Sequence, residues 1–296
     1  MRKNWWKICL LALTATAVLA GCGKQEKEKQ NENEPAPQEE TTEPEEAQDT
    51  KEPRYAPYFP DEPFEASGVV WIAGDSIASA HDDNEYVVPI SGWGEHLADY
   101  LDGADVHNEA RSGRSSKSYL EEKNYDEIMD NIAYGDYLFI AFGLNDEIAE
   151  KANLYTDAEA ATDAENSFTG YLKENYIEPA LKVGAEPVLM SPVMRATYDE
   201  NGQLTEQTQL PYVNAIERLI EEYKEQGIEL YYIDLYEITE EWYKEIGYDA
   251  VRELHGVDNE GVDDTTHFSA EGSKQLAEKI IEEIQRQQME LDAFIK

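Results

Sequence analysis

Four short motifs carry the residues of this chain that could do chemistry. GDSIA places Ser76 directly after the apolar run VVWIA, and NEARSGRSSKS contains Gly113. FGLND places Asn145 after DYLFIA, and DDTTHF holds Asp264 and His267 three positions apart. A serine hydroxyl becomes a nucleophile when an imidazole takes its proton, and a carboxylate at the other ring nitrogen orients that imidazole. Ser76, His267 and Asp264 supply those three groups. The Ser76 and Gly113 backbone N–H groups and the Asn145 side-chain amide supply three donors for a developing oxyanion. The chemistry implied is acyl transfer through a serine. It requires no cofactor and no metal. Asp263, Asp264 and His267 could also be read as metal ligands, but no second His or Cys lies at ligand spacing. Each motif alone also fits a structural role: Asp75 and Ser76 as a helix cap, Asn145-Asp146 as a turn, Gly113 in a flexible polar loop, His267 beside a cap at Ser269.

The elements that must position these residues alternate. Short apolar strands are expected at 69–73, 104–110, 136–143, 186–192 and 230–235. Helical spacing joins Trp93, Leu97, Tyr100 and Leu101, and helices are expected over 119–132 and 158–183. A further helix opens at Pro211, and a last one starts at about Ala270 with Leu276, Ile280, Ile281 and Ile284 inward. Such alternation predicts a three-layer α/β/α sandwich around a five-stranded parallel sheet of flavodoxin-like type, in a single folded domain over 67–296. In such folds ligands bind beyond the carboxyl ends of the strands, and three of the four motifs follow a strand there.

The rest of the 296 residues reads differently. Residues 1–21 combine Arg2, Lys3 and Lys7 with an apolar run from Ile8 to Ala20, too short for a comfortable membrane span, and read as an export signal. The run ends in Leu-Ala-Gly-Cys, which resembles a bacterial lipobox; Cys22 would then be lipidated and anchor the protein to the outer face of the cytoplasmic membrane. The one other cysteine, Cys9, lies inside the signal, so the exported chain has no internal disulfide to form. Residues 22–66 carry the anchor and an acidic, proline-rich linker, too poor in apolar groups to fold. Its mean reach as a flexible chain is about 35–40 Å.

Formal net charge is −40; without the +3 of residues 1–21 and the −9 of 24–66, residues 67–296 carry −34. A field of that sign argues against nucleic acid as a partner and leaves the lipid anchor as the sole expected contact with a membrane. It also suits a salty or alkaline exterior. Arg111, Arg114, Lys117 and Lys123 form a small basic island near Gly113 that could hold an anionic group or pair with nearby carboxylates. A monomer is expected.

Taken together and in this order, the motifs resemble the GDSL-like, or SGNH, hydrolase superfamily, whose named residues match Ser76, Gly113, Asn145 and His267. The stretches GWGEHLADYL, NEARSGRSSKSY, GDYLFIAFGLND and SPVMRATYDENGQL are similar to rhamnogalacturonan acetylesterases, carbohydrate esterase family 12. The resemblance implies deacetylation of a plant cell-wall polysaccharide, with Arg111, Arg114 and Arg195 as candidate substrate contacts. One departure is Leu144, where those esterases commonly carry His. Acetylated xylan or a small ester is the alternative substrate. A surface glycan-binding lipoprotein without activity is the alternative class.

Overall fold

The computed structural model describes residues 64–81, 85–205 and 207–296. The signal, Cys22 and nearly all of the linker lie outside the described residues. Five parallel strands form the central sheet: β1 (Val69–Gly74), β3 (Asp105–Asn108), β4 (Tyr137–Ala141), β5 (Glu186–Met190) and β6 (Tyr231–Ile233). Their order is β3-β1-β4-β5-β6. The chain moves from β1 to one side and then returns to pair β4 on the other. The strand order therefore reverses at β1, which opens a crevice at its carboxyl end, the usual ligand position in such sheets.

Side chains alternate across the sheet because the strand period is two. Val70, Ile72, Phe139, Val188 and Met190 face one apolar core, shared with Leu276, Ile280 and Ile284 of α7 (Ala270–Arg286) and Trp242 of α5 (Leu235–Ile246). Trp71, Ala73, Leu138, Ile140 and Leu189 face the other. That core is completed by Ile128 of α1 (Lys123–Asn131), Phe168 of α2 (Phe168–Leu172), Ala180 of α3 (Glu178–Val183) and Ile216 of α4 (Leu210–Glu225). The expected three layers and five parallel strands are present.

Three local expectations differ. The helical region begins at Phe168 rather than 158, because Ser167 accepts the Gly170 N–H as a cap and Asn166 has a φ of 61°. Pro179 then lacks the N–H that would bond the Asn175 carbonyl. The chain widens into a π turn over Lys173–Ile177, and the Tyr125 hydroxyl takes that carbonyl at 3.0 Å. Residues 93–101 form two 3₁₀ turns, Trp93–Glu95 and Leu97–Tyr100, instead of one helix.

A second sheet, antiparallel and unforeseen, has the order β2-β7-β8, with β2 (Tyr86–Val88), β7 (His255–Asp258) and β8 (Asp263–Phe268). DDTTHF is therefore strand β8. Helices α5 and α6 (Tyr248–Glu253) also went unread in the sequence.

Candidate active site

Ser76 sits in the tight turn leaving β1. Ala78 and Ser79 both donate backbone N–H bonds to the Asp75 carbonyl, at 3.2 and 3.0 Å. The Asp75 side chain turns inward and accepts the Ile77 N–H at 3.0 Å. Burial pushes its carboxyl up to about 7, with the charge of Asp146 adding to the rise. The turn leaves the Ser76 Oγ facing the crevice, 2.8 Å from His267 Nε2.

His267 arrives from the other sheet. Its Nδ1 lies 2.8 Å from Asp264 Oδ2. Asp264 is held on all sides: Oδ1 accepts the backbone N–H groups of Thr266 and His267 at 2.7 and 2.8 Å, and Oδ2 also accepts the Tyr86 hydroxyl at 3.0 Å. Burial pushes this carboxyl up. The hydrogen bond and charge of His267, with the two backbone donors, outweigh it and hold the carboxyl well below the ordinary carboxylate range. A carboxylate at Nδ1 fixes the proton there and leaves Nε2 free to accept from Ser76.

The donor side of the crevice is built from the turns after β3 and β4. Arg111 N–H bonds the Gly74 carbonyl at 2.9 Å and ties the first turn to the end of β1. Asn145, in the second turn, donates through Nδ2 to the Arg114 carbonyl in the first at 3.0 Å and so joins the two turns. An amide nitrogen carries two hydrogens, so Asn145 can be oriented by one and offer the other. Gly113 has a φ of 76°, and a Cβ there would meet nothing within 4 Å. Glycine is required by conformation at this position, not by crowding. The structure thus brings Ser76, His267 and Asp264 into one hydrogen-bonded chain and gathers the Gly113 turn and Asn145 at the same strand ends.

Four further residues support the site without having been given a role from the sequence. Tyr86 reaches Asp264 only because β2 pairs with β7. His255, buried on β7, has Nδ1 3.2 Å from the His267 carbonyl and Nε2 3.1 Å from the Tyr243 hydroxyl; burial lowers it to about 4, so the ring is neutral. Asp146 is buried beside Asn145. It accepts the Ser116 N–H and hydroxyl and the Thr156 hydroxyl, and burial raises it to about 6 against those bonds. The Asn-Asp pair after a buried strand was the available signal for Asp146. A fourth residue, His81, has Nε2 2.8 Å from the Ser76 carbonyl and its ring 6.2 Å from that of His267.

The cations of the candidate substrate contacts are engaged within the protein. Arg111 donates to Asn124 at 3.0 Å, and Arg114 to Glu122 at 2.8 Å. Lys117 donates to Asn166 at 2.8 Å. Arg195 pairs with Glu147 and donates to Thr208. Leu144 is buried in the core and lines a small void with Asp75 and Pro192. Its departure from the esterase pattern is therefore at a buried position. Asp263 pairs with Arg252.

A parallel α/β/α sandwich with a serine, histidine and aspartate joined at its switch point defines the class: a serine hydrolase. The GDSL-like lipase/acylhydrolase family model matches residues 70–280, and the chain belongs to that family. It is 31% identical over 225 residues to the rhamnogalacturonan acetylesterase RhgT of Bacillus subtilis, covering 73% of this chain and 89% of that protein. It is 32% identical to YesY of the same organism, named as a probable rhamnogalacturonan acetylesterase, over 71% of this chain and 89% of that one. Among solved structures, that of YxiM from Bacillus subtilis superposes with a TM-score of 0.60 at 24% identity; the match covers 77% of this chain and 59% of YxiM and shows a common fold. The protein is a carboxylic ester hydrolase.

Proposed function

We propose that this esterase removes acetyl groups from a plant cell-wall polysaccharide, rhamnogalacturonan first among them. The observation that carries the reading is the Ser76–His267–Asp264 chain at 2.8 Å per link, in a protein similar along most of its length to a rhamnogalacturonan acetylesterase. Ser76 Oγ attacks the acetyl carbonyl as His267 Nε2 takes its proton. The oxyanion is held by Ser76 N–H, Gly113 N–H and the Asn145 amide. His267 returns the proton to the departing sugar hydroxyl, and water activated by the same ring releases acetate. Asp264 stays ionised throughout and stabilises the imidazolium.

Acetylated xylan is the second reading. It is favoured by the engagement of Arg114 and Arg195 with Glu122 and Glu147 and by the −34 charge of residues 67–296, which repels a polyuronate at long range. Initial rates of acetate release from acetylated pectin fragments and acetylated xylan, at low and high salt, separate the two. Faster release from pectin fragments at both salt levels supports the first; release from xylan alone supports the second.

Residues 1–21 are proposed as an export signal, Cys22 as a lipid anchor on the outer face of the membrane, and 24–66 as a tether for a domain over 67–296. Cys22→Ser is expected to move activity from the membrane fraction to the soluble one. Activity that stays with the membrane in that variant rules the anchor out.

A further inference from the structure

The segment after β5 runs beside β8, and the Ala196 N–H donates to the Thr265 carbonyl at 2.7 Å. Thr265 adjoins Asp264, so this segment starts at the wall of the Ser76 crevice. Two cavities extend from there, of about 530 and about 590 Å³. They border one another at Tyr198, Gly202 and Tyr248; the nearer part touches Thr265, and the farther reaches Tyr236, Glu240 and Lys244 on α5. Neither part is lined by Ser76. The two cavities are a place beyond the reacting acetyl group, each in the size range of a small-ligand site.

Their walls suit a sugar. Tyr198 and Tyr248 meet edge to face with centroids 4.9 Å apart, and Tyr248 is 45% exposed. Arg252 lies 5.7 Å from the Tyr248 centroid while paired with Asp263, which braces that ring from β8. A pyranose offers a face of C–H bonds to an aromatic ring and a rim of hydroxyls to polar atoms; the exposed Tyr248 ring answers the first, and Asp199 and Gln203 on the cavity walls answer the second.

Charge narrows the ligand. Lys244 is neutralised by Glu240 at 2.9 Å. Asp199 and Glu200 line the nearer part, and hydrogen bonding from the Gln203 backbone, with Asn201, holds the Asp199 carboxyl below its ordinary range. The rim is anionic and repels a uronate, whereas an uncharged sugar meets no such opposition.

We propose that this pair of cavities is a subsite for an uncharged sugar residue of the same polysaccharide chain whose acetyl group reaches Ser76. The proposal rests on the glycan-esterase reading. The test compares kcat/KM on acetylated xylo-oligosaccharides, acetylated rhamnogalacturonan oligosaccharides and 4-nitrophenyl acetate for the wild type, Tyr248→Ala and Tyr248→Phe. The ratio of glycan to small-ester kcat/KM is expected to fall about fivefold in Tyr248→Ala, through KM, and to be retained in Tyr248→Phe. A ratio unchanged in Tyr248→Ala overturns the subsite. In the wild type, deacetylated xylo-oligosaccharide should inhibit glycan turnover more strongly than an oligogalacturonate of equal length; the reverse order overturns it as well. A wild type that turns over 4-nitrophenyl acetate but no acetylated glycan defeats the glycan reading itself, and the subsite with it.

Discussion

Ser76 and His267 are 191 positions apart and meet at 2.8 Å, each presented by a different sheet. The proposed roles give sharp expectations. Ser76→Ala should lower kcat on 4-nitrophenyl acetate by about three orders of magnitude or more, with the fold unchanged by circular dichroism. Near-normal turnover in that variant would sink the assignment. Tyr86→Phe removes one donor from Asp264 Oδ2 and leaves His267 its partner. Hydrogen bonds to charged groups are worth about 1.5–3 kcal/mol, so kcat should fall by about one to two orders of magnitude with little change in KM. An unchanged kcat would mean that Tyr86 only packs. Asp75 gives a pH signature. It keeps its proton to about pH 7 when folded, but only to about pH 4 when unfolded. The folded chain binds the extra proton between those values, so Asp75 costs stability as pH rises through that window and no more above it. Asp75→Asn removes this loss, and its melting temperature relative to wild type should therefore rise from pH 5 to pH 8. A constant difference would show that Asp75 is not titrating there.

At the scale of elements, the site is a junction of turns rather than a cavity in one of them. β1 delivers Ser76, the turns after β3 and β4 deliver Gly113 and Asn145, and β8 delivers Asp264 and His267. Asp146 joins two of these by accepting from Ser116 while fixed next to Asn145. Asp146→Ala leaves the Ser116 and Thr156 donors buried without an acceptor. Stability should drop by about 2–3 kcal/mol in urea unfolding, and kcat on a small ester should fall because the donor turn loosens. A stable variant with full kcat would show that the turn is held by other contacts. The small antiparallel sheet has no counterpart in the sequence reading for a physical reason. Its strands are only three, four and six residues long, and β7 and β8, HGVD and DDTTHF, hold three Asp and one Gly, a composition that looks like turns until the pairing is known.

For the molecule as a whole, charge dominates. The −34 of residues 67–296 repels itself, and added salt screens it. The melting temperature should be higher in 1 M than in 0.01 M NaCl, by about 4 °C if screening recovers about 1–2 kcal/mol. A fall over that range would show that local ion pairs such as Arg195–Glu147 outweigh the net field.

The fold was legible because buried strands of a parallel sheet are continuous apolar runs, and VVWIA, DYLFIA and EPVLMSP are such runs whatever surrounds them. Ser76, Gly113, Asn145, Asp264 and His267 were legible because each lies in a short motif whose residue types carry the chemistry. The sequence by itself thus determined the central sheet and the layers, and it marked the residues that the fold gathers at the crevice. The tertiary structure decided what long-range pairing alone can decide: that Tyr86 donates to Asp264, that His255 backs His267, that Arg195 is committed to Glu147, and that Leu144 is buried. None of these contacts has a local pattern. Each follows from where separate segments come to lie once their apolar faces are buried.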